Sequence, residues 1–538
     1  LYNGQKSAIF QPAKDYSSAS AIYMQTRKPL FKGEKKNNLN IGVKGGSFST
    51  INPSLLWEHR FNERISSSIS TEYMYTSGRY KFTYAKKDGY DTTAVRQNGD
   101  VRMLRLENAF FGKVPKGEWK AKAYLYNSER GYPGAAVREE PGKFRHQDRQ
   151  WDTNLFVQGS FQNYFKPWYS LLANGKYAYD YLHYLSDPRL DVTTMYVDNH
   201  YRQQEIYASA AHLFTIYPWW SMSLSNDFQW NTLRADLIDF VYPTRNTILT
   251  SAATSFDFNH LMLQASLLYT HVDDNTRTKG ANAGTKNKYT PSVIATWQPL
   301  TKFPLNVRAF YKKVFRMPTL NDLYYTFIGN KDLKPEYTTQ YDVGITFSHT
   351  WNNHWLKSLD LQIDGYYNEV DDKIIAMPTS NQFRWTMINL GHVEIRGLDA
   401  AIRGEWGFGK VELSTLFNYT YQKAQDFTDP TSEWYGGQIP YIPWHGGSII
   451  LNGSYQTWSC NYSFIYTGER YEAVANIPEN YAQPWYTHDF SLSKTFQWGK
   501  TGIRVTAEIN NIFNQQYEVV QCYPMPGTSF KIKLNVML

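Results

Sequence analysis

No apolar run in this sequence is long enough to cross a bilayer as a helix, which needs about 20 residues. The nearest, the charge-free stretch from Ile206 to Asn226, holds His212, Pro218 and several serines, and its "IYPWW" centre reads as a turn between two strands. Cysteine is almost absent. Cys460 and Cys522 have neither the spacing of a metal knuckle nor the numbers for a disulfide framework, and they are expected at opposite ends of the fold, unpaired. The 12 histidines include no closely spaced pair, so zinc or haem ligation finds no support. A basic patch is also lacking: the net charge of +8 is scattered along alternating segments, which argues against nucleic acid as a partner. No secretory leader is legible, and Leu1 opens in mid-phrase, as a processed, truncated or incompletely supplied start would.

Aromatic side chains are abundant. They make up 17% of the 538 residues, with 43 Tyr, 30 Phe and 17 Trp, although the mean hydropathy is negative. One architecture reconciles these facts. A closed β-barrel satisfies every backbone hydrogen bond in lipid and hides its polar half inside, so its average hydropathy stays low. The local pattern agrees. In "EWKAKAYLY" Trp119, Ala121, Ala123 and Leu125 share one face, opposite Lys120, Lys122 and Tyr124. Similar alternation runs through "LMLQASLLY" (261–269), "GIRVTAEIN" (502–510) and the closing "FKIKLNVML" (530–538). A period of two gives each strand one apolar and one polar face.

Short turns carrying Trp168, Trp219, Trp220, Trp297, Trp351, Trp355, Trp406, Trp458 and Trp498 alternate with longer polar connections at 185–197, 272–288, 314–335, 369–388 and 422–443. This asymmetry matches an outer-membrane barrel, with short periplasmic turns, long external loops and aromatic girdles at the lipid interface. Counting the alternating segments predicts an all-β, transmembrane antiparallel barrel of about 22 strands, whose last strand pairs with the first. A β-propeller fits less well, because each unit shows two long strands and a loop where a blade needs four strands. A sandwich or a porin of fewer strands is the other architectural rival.

The stretch "FRMPTLNDLYYTFIGNKDLKPEYTTQYDVGITF" (315–347) resembles the signature of TonB-dependent outer-membrane transporters. "NLGHVEIRGLDAAI" (389–402), "IPYIPWHGGSIIL" (439–451), "INNIFNQQYEVVQCYPMPG" (509–527) and the closing strand agree in the same order. The likeness covers the chain from about Asn37 and is similar to Bacteroidetes-type, Gram-negative members, vitamin-B12 transporters among them. The chain ends on Leu538 where members often end on Phe, and it has Thr528 where many carry Arg. At the other end only "SSASAIYMQTRKP" (17–29) resembles the close of the family's plug domain. The expected division is therefore a plug remnant over 1–36 and the transmembrane barrel over 37–538.

The resemblance implies an energy-coupled importer of a scarce large ligand, with the TonB complex as partner through the plug and no catalysis. The expected cargo is cobalamin or a related corrinoid, a ferric siderophore or haem being the alternative. A passive porin or an outer-membrane barrel enzyme is a more distant reading. A surface lipoprotein lid is a further partner the lineage implies. Rigid aromatics on external loops bury much area at little entropic cost, which selects Tyr324, Tyr325, Phe327, Phe383, Trp385, Trp434, Tyr435 and Tyr441 as ligand-binding candidates. Packing between loops is the competing role for each. Arg316 is read as a lumen residue bonded to the wall. No cofactor is expected. The acidic pairs Asp273, Asp274 and Asp371, Asp372, beside Glu369, offer oxygen ligands for Ca²⁺ but follow no Ca²⁺-loop pattern, so solvated charge is the favoured reading.

Overall fold

The computed structural model describes residues 2–3, 7–85, 91–136, 147–187, 196–278, 283–301, 303–325, 329–352, 355–378 and 385–538. Within them, 22 long antiparallel strands close into one barrel. The first, Asn37–Gly46, pairs with the last, Ser529–Met537, in a register from Asn40 with Met537 to Gly46 with Lys531. Leu39 and Leu538 add a reciprocal pair of backbone hydrogen bonds, so the ladder runs to the final residue. Among the described residues, closure leaves the barrel wall without an unpaired edge strand, which a bilayer requires.

The alternation read from the sequence sets which face meets lipid. Phe530, Ile532 and Leu534 of the last strand are exposed on the outer surface, as are Ile41 and Val43 on its neighbour. Their polar neighbours point inward, where Lys44 pairs with Glu508 at 3.0 Å. At the periplasmic end the aromatics stack into a belt. Tyr217 and Trp219 lie 5.6 Å apart, Trp219 and Phe258 5.9 Å, and Trp355 and Trp406 5.2 Å. Such belts sit at the head-group level, where one side of the ring is apolar and the other wet. The turns there are tight. Gly499 takes φ +58 between the strands Trp485–Trp498 and Thr501–Asn510, a left-handed conformation that glycine adopts at no steric cost.

Strands run further outward than the hydropathy pattern predicts. The connection expected over 369–388 is mostly sheet, since Leu356–Pro378 and Trp385–Phe408 form a hairpin of 23- and 24-residue strands. Beyond the membrane there is no lipid face to keep apolar, so the two-residue period fades while backbone pairing continues. Asp273, Asp274, Glu369, Asp371 and Asp372 are accordingly strand residues, correcting their expected place in loops.

Residues 7–36 precede the wall, and 7–29 thread its interior. Ala13–Tyr16 is a 3₁₀ turn, and Ile9, Ala13 and Tyr16 pack against Leu249, Ala253 and Leu268 of two wall strands. The chain then passes Lys312, whose Nζ donates to the Ser18 carbonyl at 2.7 Å. It descends to ion pairs of Arg27 with Glu58 and Lys28 with Glu118 before entering the first strand.

Candidate ligand-binding face and lumen

The loop 317–335 folds back over the barrel mouth and is anchored at its start. Arg245 and Asp274 stand near the extracellular ends of Thr244–Asp257 and Leu261–Asn275 and form a two-pronged ion pair. The Arg245 Nη1 donates to the Pro318 carbonyl at 2.6 Å. Thr319 then caps one turn of α-helix, Leu320–Tyr324: its hydroxyl accepts from the Asp322 amide, and the Asp322 carboxylate accepts from the Thr319 amide. Capping turns Leu320, Leu323 and Tyr324 inward onto Tyr201, Leu233 and Ile374. The far side of the loop is sewn to the strand Trp385–Phe408 by Asn330, donating to the Met387 carbonyl at 3.0 Å, and by Asn389, which both donates to and accepts from the Lys334 backbone.

This arrangement places the aromatic candidates in different settings. Tyr324 is buried in the loop cluster, and Tyr325 packs on Tyr201 with ring centroids 4.5 Å apart. Burial pushes both phenols up to about 12, so each keeps its proton and can donate it. Trp385 opens its strand and meets Tyr441 at 6.0 Å. Tyr441 sits at φ +59 and donates its amide to the Tyr471 carbonyl at 2.8 Å, which joins the loop 427–444 to the one over 468–484. Trp434 is half-buried on the former loop, and exposed Tyr435 meets Phe427 edge-on at 5.1 Å. Among the described residues these two share no ring contact with the other candidates. Phe327 and Phe383 lie outside the described residues.

The acidic pairs have neighbours of their own. Asp274 gives both oxygens to Arg245, and Asp273 accepts from Thr285 and Asn275. Asp371 lies 2.8 Å from His392 Nδ1, and Asp372 lies 3.8 Å from Lys334 Nζ. Arg316 is half-exposed, 3.8 Å from Asp322, and lines a cavity at the mouth. Cys460 is exposed on the strand Trp458–Thr467 just after a periplasmic turn, whereas Cys522 is buried in the last external loop; the two stand at opposite ends of the wall and form no disulfide with each other.

Inside, the wall is polar and cross-linked by charge. Arg105 pairs with Glu72, Lys122 with Glu107 and Lys176 with Glu205, each between neighbouring strands at 2.8–2.9 Å. Asp227 is the residue sequence reasoning missed. Buried on the inner face, it accepts the amide protons of Ala13 at 3.0 Å and Lys14 at 2.8 Å, and the Tyr207 hydroxyl proton at 2.7 Å. Beside it Ser225 donates to the Gln11 carbonyl at 2.7 Å. A carboxylate holding two successive amides is an N-cap supplied from across the lumen, and the only sequence signal is an Asp among small polar residues on the inward face of "SMSLSNDFQW". Two cavities flank the threaded segment. One of about 560 Å³ lies between Ser17–Ser20 and the loop residues Arg316, Thr319 and Leu320; the other, of about 400 Å³, is lined by Lys14, Lys120, Lys122 and Lys176.

A family model described as TonB dependent receptor-like, beta-barrel matches residues 16–512. Similar proteins include the vitamin B12 transporter BtuB of Photobacterium profundum, 28% identical over 244 residues, which are 44% of this chain and 36% of that one. The protein of the same name in Vibrio vulnificus is 31% identical over 207 residues, 38% of this chain and 29% of that one. Among solved structures, the copper transporter OprC superposes with a TM-score of 0.74 at 14% identity over 100% of this chain and 85% of that one. The siderophore receptor PiuA of Acinetobacter baumannii gives 0.72 at 11% identity over 94% and 82%. At those identities the structures establish the shape of the chain alone. The aligned stretches span 36% and 29% of the two relatives' length.

Proposed function

We propose, from the premise that this chain belongs to the TonB-dependent receptor-like β-barrel family and spans the outer membrane, that it imports a scarce, bulky ligand by an energy-coupled step. The observation that carries this reading is the threaded segment. A lumen walled by 22 strands is wider than side chains alone can fill, and here the segment 7–29 occupies part of it, held by a few polar contacts around Asp227 and Lys312. Such contacts resist thermal escape yet can be broken one at a time by a pull from the periplasm. We read residues 1–36 as the end of a plug domain through which the TonB complex acts.

The cavity between that segment and the loop 317–335 puts the plug within reach of what the external loops bind. A ligand held by both favours one plug position over the other, and that differential affinity is what lets a pull release it inward. The cargo in this reading is cobalamin or a related corrinoid, supported by the named function of the two sequence relatives. The aromatic side chains of Tyr325, Trp385, Trp434, Tyr435 and Tyr441 supply apolar contact for a macrocycle, and no bond is made or broken. A ferric siderophore or haem is the alternative, and the same assay separates them.

Uptake of labelled cyanocobalamin, a ferric siderophore and haem by cells carrying the intact protein, with and without TonB, tests the proposal. Saturable cobalamin uptake that vanishes without TonB is the expected result. Uptake of the siderophore or haem instead would reassign the cargo, and uptake indifferent to TonB would defeat the energy-coupled reading.

A further inference from the structure

Away from the lumen, three metal-ligating side chains meet on one hairpin. His183 lies near the extracellular end of Tyr169–Ser186, and Asp198 and His200 lie at the start of Val197–Tyr217. Their sequence neighbours Leu182 and Tyr201 pack inward against the loop cluster, so alternation sends His183 and His200 to the outer surface. The two histidines are direct cross-strand partners, and their rings stack with centroids 4.0 Å apart at 11°. From Asp198 Oδ1, His183 Nε2 is 2.7 Å away and His200 Nε2 is 3.5 Å away. One ligand atom from each residue lies within 4.8 Å of the others. Ligands on a tetrahedral ion at about 2.0–2.1 Å stand roughly 3.3 Å apart, so small ring rotations bring these atoms to bonding range.

The surroundings order the set further. The Tyr181 hydroxyl is 2.6 Å from His200 Nδ1, within reach to accept an Nδ1 proton in the tautomer whose Nε2 lone pair binds the ion. Trp151 stacks on His183 at 4.6 Å and 18°, restraining its ring. Tyr196 donates to Asp198 Oδ2, which leaves Oδ1 for an ion. Asp236 accepts the His200 amide proton through Oδ1 and brings Oδ2 to 3.8 Å from His200 Nε2, offering a fourth oxygen. Among the described residues the ion-pair partners of Asp198 and Asp236 are histidines alone, with no Lys or Arg. A single divalent ion satisfies the imidazole lone pairs and both carboxylates at once.

The geometry points to a zinc-type divalent metal site on the outer face of the barrel, with His183 Nε2, His200 Nε2 and Asp198 as ligands and Asp236 or water in the fourth position. Imidazole with carboxylate suits Zn²⁺, and Cu²⁺ or Ni²⁺ are its competitors. With Asp236 in the fourth position the ion ties the hairpin to the connection 236–243, whose Leu237, Phe240 and Val241 pack on the same cluster as Leu323 and Tyr324. It therefore braces the external loops from outside the wall.

The test uses the tag-free intact protein in detergent, stripped with a chelator and titrated with Zn²⁺ alone by calorimetry. One equivalent is expected, lost in His200→Ala and in Asp198→Ala, and weakened roughly tenfold in Tyr181→Phe, which removes only the partner of Nδ1. Heat-modifiable gel migration reports whether each variant still forms the closed barrel, and His183→Gln with His200→Gln serves where an alanine variant does not. Absence of Zn²⁺ binding by the wild type, or equal binding by a folded variant lacking both imidazoles, overturns the assignment.

Discussion

Arg245 grips Asp274 through two hydrogen bonds of 2.6 Å, Nε to Oδ1 and Nη2 to Oδ2, with both side chains buried at the barrel mouth. The remaining nitrogen holds Pro318 at the root of the loop 317–335. Removing one partner strands a buried charge, a loss of about 3–5 kcal/mol. Arg245→Ala should therefore release the loop before it unfolds the wall, because strand pairing on either side continues without it. Limited proteolysis should cut the variant between 317 and 335 at least tenfold faster while gel migration stays that of a closed barrel. Arg245→Lys should behave nearly as badly, since a point charge cannot replace a planar fork. Unchanged cleavage in both variants would remove this clamp from the account of the loop.

Asp227→Ala should free the threaded segment. The substitution leaves the amides of Ala13 and Lys14 and the Tyr207 hydroxyl without their acceptor, a loss of about 1–3 kcal/mol when they stay buried. Hydrogen exchange at residues 13–17 should rise by one to two orders of magnitude, while exchange in the strand Trp220–Ala235 stays slow. Asp227→Asn keeps one acceptor oxygen and should fall between. If the threaded segment also carries the pull of an inner-membrane partner, ligand release in Asp227→Ala should need less of it.

The wall was legible in the sequence because its cause is local. Lipid on one face and water on the other write themselves into every second residue, so the strands, the Trp-bearing turns and the pairing of the last strand with the first all follow from residues a few positions apart. The site was not, because its contacts join residues that nothing in the chain brings together. Asp227 meets Ala13 from more than 200 residues away, and Arg245 meets Pro318 across 73. His183 and His200 stand 17 apart in sequence and look unrelated until the hairpin register makes them opposite. Strand lengths above the membrane were missed for the complementary reason, since the pattern that marks a strand vanishes where there is no lipid to impose it.

Gly112 and Trp119 test the wall itself. They are cross-strand partners near the periplasmic turn at 115–116, and a Cβ on Gly112 would stand 2.1 Å from the Trp119 indole. The ring lies across the glycine and covers backbone that would otherwise face the interface, an arrangement that recurs where aromatics protect sheet glycines. Gly112→Val should expel the indole and lower the yield of refolded barrel, with Trp119→Ala in the same chain restoring part of it. A Gly112→Val variant that refolds like the wild type would show that the ring moves aside freely.

The last strand separates the two faces of the wall most sharply, because neighbouring residues there meet different solvents. Ile532 is 62% exposed on the outer surface, whereas Lys533 is half-buried on the inner one, paired in register with Thr506 and Lys44. Ile532→Lys places a charge against hydrocarbon, and a lipid-facing Lys costs about 2–4 kcal/mol near the bilayer midplane. Lys533→Ser removes a cation from a wet lumen in which Lys44 already has Glu508 as partner, and should change stability by less than about 0.5 kcal/mol. Denaturant unfolding from lipid vesicles measures both. The same pair in detergent should show a smaller gap, since a micelle deforms around a charge more readily than a bilayer. Equal losses for the two variants in vesicles would mean that the outer face of this strand does not touch lipid, and the closed transmembrane wall would lose its physical basis.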